Sequence, residues 1–184
     1  MNEPMKEPMK DEPWSCEVRA RDQVIRYRCE GTGRSLIALH PGRVDPVWEE
    51  LLAALARSYR VVVPEPPPAK ADVAAWLDAF LEGLGGSGIR IVAADRFCMP
   101  AFEVTLVAAD QIGRLVLLPE GPGDGSSREA VVGGTVETEL ASARIPLLVA
   151  HRGLPVTALV ERVTRFHGPV GAALQTATLA ATPF

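Results

Sequence analysis

The sequence predicts an α/β fold: a doubly wound, mostly parallel sheet in a three-layer sandwich, entered through an N-terminal antiparallel hairpin. Three observations carry this prediction. Five strand-length runs (Ser35–His40, Tyr59–Pro64, Ile89–Ala94, Arg114–Leu118 and Ile145–Ala150) are apolar at nearly every position, as strands covered on both faces must be. Helix-like segments separate these runs from Ser35 onward, and that alternation builds a parallel sheet through right-handed crossovers. By contrast, Val24-Ile25-Arg26-Tyr27-Arg28-Cys29 alternates apolar with polar, which suits a half-exposed antiparallel strand.

Residues 1–13 repeat the phrase Glu-Pro-Met-Lys. Proline and alternating charge leave nothing to bury, which predicts a disordered tail. Its use is as a solvated leader or a binding arm. Residues 14–184 then form one domain, as the length of 184 residues allows. Trp14–Ala20 and Gln23–Cys29 pair across a tight Arg21-Asp22 turn, and a second turn over Glu30–Arg34 leads into Ser35–His40. Asp45-Pro46 opens a helix through Arg57, with Asp45 as N-cap and proline at the first helical position. Tyr59–Pro64 is followed by a proline-rich loop over Glu65–Ala69. Asp72–Leu84 is amphipathic, with Val73, Trp76, Leu77, Phe80 and Leu81 on one face. Gly83–Gly88 follows a helix and opens a strand, so it reads as a terminator and not as a phosphate loop, which would open a helix. Phe97–Ala109 is a helix and Pro119–Ser127 a loop. Arg128–Ala143 holds a helix weakened by Gly133-Gly134. Pro155–Val163 is helical, Thr164–Phe166 a short strand, and Val170–Ala181 a final helix.

Composition excludes several function classes. A net charge of −4 points neither to nucleic acid nor to an anionic membrane surface. Aromatic residues at 5% weaken any case for base stacking or carbohydrate platforms. Cys16, Cys29 and Cys98 are odd in number and widely spaced, which fits a reducing compartment and argues against a disulfide framework or a zinc site. No apolar leader and no bilayer-length run is present, so a cytoplasmic location is expected by default. No cofactor and no metal is predicted.

Residues 89–118 carry the most information. A buried strand, Ile89–Ala94, joins a helix through the tight phrase Ala93-Ala94-Asp95-Arg96-Phe97, and Arg114–Leu118 follows as a second buried strand. This layout resembles the nucleophile-elbow unit of α/β-hydrolases, without its G-x-S-x-G. Other phrases resemble the same family in the same order. Leu36–Gly42 (LIALHPG) is similar to its strand and H-G oxyanion turn, and Trp48–Arg57 to the helix that follows. Tyr59–Pro64 with Glu65-Pro66 is similar to a strand and the start of an acidic-proline loop. Ile112–Leu118 is similar to the strand after the elbow helix. The resemblance covers roughly residues 23–167 and implies a compact, lidless α/β-hydrolase-like domain with a degenerate elbow and a degenerate catalytic triad.

Carried over position by position, the resemblance puts Asp95 at the nucleophile site, with Ala93 and Phe97 in place of the flanking glycines. His167 is the nearest match to the family's C-terminal histidine. Glu120 follows the strand after which some members place the acid. His40 occupies the oxyanion turn, where Pro41 removes a backbone donor. His151 ends the next strand, at the carboxyl edge where ligands bind in open α/β sheets. The expected catalytic set is therefore Asp95, His167 and Glu120, with His40, Arg96 and His151 as binding residues. Each has a plainer use. Asp95 would cap the elbow helix or pair with Arg96. His40 would tie two loops together, and strand-end histidines would collect at the rim because buried strands expel them. Cys98 sits near a helix start, where dipoles lower a thiol pKa, but a buried, inert thiol is the expectation.

Three functions fit this set. The first is non-hydrolytic acid–base chemistry (cyclisation, elimination or isomerisation) on a small organic molecule. The second is a catalytically inactive binding or scaffold subunit, its open mouth covered by a partner or by a second copy of the chain. The third is a hydrolase with an aspartate nucleophile, as in the dehalogenase and epoxide-hydrolase branches of the family.

Overall fold

The computed structural model describes residues 16–40, 46–119, 145–150 and 155–167. The expectations for Asp45, Glu120, His151, the 128–143 helix and the 170–181 helix lie outside these residues. The described elements run β1 (Cys16–Ala20), β2 (Gln23–Glu30), β3 (Ser35–Leu39), α1 (Pro46–Leu55), β4 (Arg60–Pro64), α2 (Val73–Leu84) and β5 (Ile89–Ala94). A 3₁₀ turn (Asp95–Phe97), α3 (Cys98–Val107), β6 (Ile112–Leu118), β7 (Leu147–Val149) and α4 (Val156–His167) follow.

The strands form one sheet in the order β1-β2-β4-β3-β5-β6-β7. The first two pairings, β1 with β2 and β2 with β4, are antiparallel, and β4-β3-β5-β6-β7 are parallel. Every residue of β5 is buried, as expected of the central strand in a sheet covered on both sides. Its alternate side chains enter two cores. Ile89, Ile91 and Ala93 join Trp76, Leu77, Phe80 and Phe102 on the α2–α3 face. Val92 and Ala94 join Trp48, Leu51, Leu55, Leu159 and Val163 on the α1–α4 face. The three-layer sandwich follows from this period-two alternation.

Two local features seat the hairpin. Arg21, in its two-residue turn, has φ 54° and reaches back to Asp78 at 2.6 Å and Glu82 at 2.9 Å on α2. Gly83 lets α2 approach β1 closely, since a Cβ there would lie 2.5 Å from Val18 Cγ2. The helix then stops as its sequence requires. Asp72 accepts the Ala75 N–H at 3.0 Å to open it, and Gly85, at φ 64°, closes it with an N–H to Leu81 O.

One element departs from the sequence reading. Thr164–Phe166 is not a strand but the last turn of α4. Leu159, Val163 and His167 recur every four residues on its buried face, so helical periodicity over twelve residues outweighs the strand propensity of three. Among the described residues no helix is long and apolar enough to cross a membrane.

Candidate functional site at the carboxyl edge

The turn after β5 is sharp. Apart from glycine, only Arg21 and Asp95 among the described residues have positive φ, and Asp95 has φ 50°. Arg21 is explained by its hairpin turn. Asp95 stands between a strand and a helix, where a left-handed residue reverses the chain and lifts its side chain to the rim. Aspartate tolerates this backbone better than most residues. The N-cap positions are Ala94 for the 3₁₀ turn and Phe97 for α3, and neither of these side chains makes a cap hydrogen bond. Asp95 is half-buried, with Oδ1 fully covered.

The residues that replace the elbow glycines are absorbed by the core. Ala93 is fully buried. Phe97, 1% exposed, turns inward and meets Trp76 at 6.1 Å between ring centroids. The turn thus stays tight although a bulky side chain follows it, because that side chain fills the α2–α3 core. Arg96 points outward, donates to Pro67 O at 3.4 Å and lies 5.0 Å from the Phe97 ring centroid. This ties the turn to the proline-rich loop, where Glu65 is itself held by Arg26 through contacts of 2.9 and 3.0 Å. Cys98 is buried, its thiol 3.4 Å from Ala93 O. Burial, with the Asp95 carboxylate adding to it against a hydrogen bond from the Leu118 backbone, pushes its pKa up to about 12. It is the inert thiol expected.

Register brings His40 to the same edge as Asp95. Leu39 pairs with Ala93, so His40, the residue after β3, stands beside the end of β5. Its ring stacks on Trp48 of α1 at 5.0 Å. Trp48 was not among the expected site residues; its indole is 3% exposed, and its position at the third residue of α1 was the available signal. Asp95, Arg96 and His40 are therefore gathered at one rim.

His167 is not among them. It lies at the end of α4, 2% exposed, 6.0 Å from the Tyr59 ring and 5.3 Å from the Phe166 ring. Burial, then the nearby Arg90 and Arg114 guanidiniums, lower its pKa to about 3. Tyr59, Arg90 and Arg114 flank the starts of β4, β5 and β6, at the amino edge of the sheet. Asp95 stands five positions after Arg90, roughly 16 Å at the rise of a strand. The expected Asp95–His167 pair is corrected accordingly: α4 runs through His167 as helix, and that helix delivers the imidazole to the wrong end. Glu120 and His151 lie outside the described residues.

No protein-family model and no curated protein matches the sequence. Solved structures do match. Naproxen esterase from Bacillus subtilis superposes with a TM-score of 0.60 at 14% identity, over 83% of this chain and 90% of that one. A meta-cleavage product hydrolase from Pseudomonas fluorescens superposes with a TM-score of 0.50 at 19% identity, over 66% of this chain and 52% of that one. The chain spans about half the length of the meta-cleavage product hydrolases it matches. With the strand order and the β5 turn above, these matches establish that the chain has the α/β-hydrolase fold.

Proposed function

We propose that this chain with the α/β-hydrolase fold is an enzyme of non-serine type, in which Asp95 moves a proton on a small organic substrate without hydrolysing it. One observation carries the reading. The strained elbow position is kept at φ 50°, and a carboxylate occupies it. Left-handed backbone at a non-glycine residue costs about 1–3 kcal/mol and persists where the surrounding structure enforces it, often at functional sites.

Asp95 would take a proton from carbon beside an electron-withdrawing group. The proton then returns at another position, giving isomerisation or cyclisation, or departs with a leaving group, giving elimination. Arg96, held by Pro67 and Phe97, is placed to attract a polar substituent, and His40 on its Trp48 platform to exchange the second proton. Covalent hydrolysis through Asp95 needs an imidazole to activate water for a second step. His167, at the far edge, is not placed to supply it, so the aspartate-nucleophile reading would have to draw on His40, the imidazole at this rim.

The test is untargeted. Purified protein and its Asp95→Asn variant are incubated with a metabolite extract in D₂O, and products are followed by mass spectrometry. An Asp95-dependent product of unchanged formula apart from deuterium, or one short of a small leaving group, supports the proposal. The variant should lose about 10²–10⁴-fold of that rate, the usual contribution of a general base. Products that gain water, with an ester trapped on Asp95, would establish the aspartate-nucleophile hydrolase instead. No Asp95-dependent change in any component would refute catalysis at this residue.

A further inference from the structure

We propose a second ligand site at the amino edge of the sheet, opposite Asp95, where Arg34, Arg90 and Arg114 bind the phosphate or pyrophosphate group of a small molecule. The proposal stands independently of any chemistry at the elbow.

The sheet itself builds the cluster. Arg90 pairs in register with Arg114 on one side and Leu36 on the other, and Arg34 stands two residues before Leu36. All three positions share the strand face of Leu36, Val92 and Val116, which packs under α1 and α4. Like charges directly opposite one another on neighbouring strands destabilise a sheet. Yet no carboxylate among the described residues forms an ion pair with any of the three. Arg114 donates to the Phe166 carbonyl and lies 5.7 Å from its ring centroid.

Arg90 is the clearest sign of a ligand. It is 5% exposed, and its Nε has no hydrogen-bond partner among the described residues. Burial and the neighbouring Arg34 and Arg114 lower its pKa, which reports the same uncompensated positive field. Beside it, both ring nitrogens of buried His167 also have no partner among the described residues. A buried cation without a partner is costly, because it loses hydration and gains nothing in return.

A cleft of about 560 Å³ opens around this edge; Arg34, Arg60, Arg90, Arg114 and Ser87 are among its lining residues, and Ile37, Val62, Leu84 and Ile89, from the opposite, α2–α3 face of the sheet, form its apolar wall. No carboxylate is among its described lining residues. Gly85, Gly86 and Gly88 form its mouth, and a Cβ at any of them would meet nothing within 4 Å, so the approach is open. Guanidinium groups present paired N–H donors that match phosphate oxygens, and a group carrying two or more negative charges offsets the mutual repulsion of three arginines. The cleft has room for more than the anion, so the ligand is a phosphorylated small molecule.

Inorganic pyrophosphate serves as the probe, added to the full chain at constant ionic strength, with chloride and citrate as comparison anions and binding read by calorimetry and thermal unfolding. At a hundredfold excess over Kd it should raise Tm by roughly 5–10 °C for a chain of this size. Arg34→Gln, at an exposed position, should weaken pyrophosphate binding at least tenfold while leaving the fold intact. Arg90→Met should abolish the response, and Arg21→Gln on the distant hairpin should respond as the parent does. If Arg90→Met does not fold, the Arg34→Gln comparison decides. A response equal to that of chloride, an undiminished response in Arg34→Gln, or a preference for citrate over pyrophosphate would each overturn the assignment.

Discussion

His167 should make the protein lose stability as the solution turns mildly acidic, and replacing it by phenylalanine should abolish that loss. The imidazole is 2% exposed, and its pKa falls from 6.5 to about 3 through burial and the charges of Arg90 and Arg114. Between those two values the unfolded chain binds a proton that the folded chain refuses. Stability therefore rises with pH through this window, is fully present above about pH 6.5, and is lost as pH falls. From pH 6.5 to pH 5 the interval is one and a half units at about 1.4 kcal/mol each, which gives about 2 kcal/mol. Phenylalanine keeps a ring against Tyr59 and Phe166 and has nothing to protonate. Urea unfolding of the two proteins at half-unit steps between pH 7 and pH 5 isolates the effect, because the other titrating groups are common to both. The expected slope difference is about 1.3 kcal/mol per pH unit near pH 5. Parallel stability curves would refute the buried, neutral imidazole, and with it the placement of His167 on the buried face of α4.

Two further outcomes test the packing around the elbow and the sheet. With its thiol pKa pushed up to about 12, Cys98 should resist a disulfide reagent at pH 8 in the native protein, react promptly in denaturant, and lag behind Cys16 and Cys29; rapid native labelling at Cys98, mapped by peptide mass spectrometry, would count against its burial. Gly31→Ala should destabilise by about 2–4 kcal/mol, since φ is +78° and the new Cβ would fall 2.2 Å from Ala56 O; an unchanged urea midpoint would contradict that contact.

The sequence by itself determined the architecture. Continuous apolar runs can be satisfied only between two helical layers, and the hairpin's alternation belongs on a one-sided edge, so fold class and layering followed from Ile89–Ala94 and its neighbours, whereas the strand order β1-β2-β4-β3-β5-β6-β7 came from the structure. It also marked Asp95, because a carboxylate at a strand-to-helix join is a local feature. Tertiary structure decided what local pattern cannot encode. The left-handed bend at Asp95 is accompanied by Phe97 finding space against Trp76 in the core. Whether His167 belongs with Asp95 depends on how far α4 runs before it ends, and one added turn of helix carries the imidazole to the opposite edge. The arginines of that edge were visible as residues interrupting apolar runs, but they became a cluster only when register set Arg90 beside Arg114. Separation along the chain bears no fixed relation to separation across a sheet, so charges scattered over eighty residues were brought together by strand pairing alone.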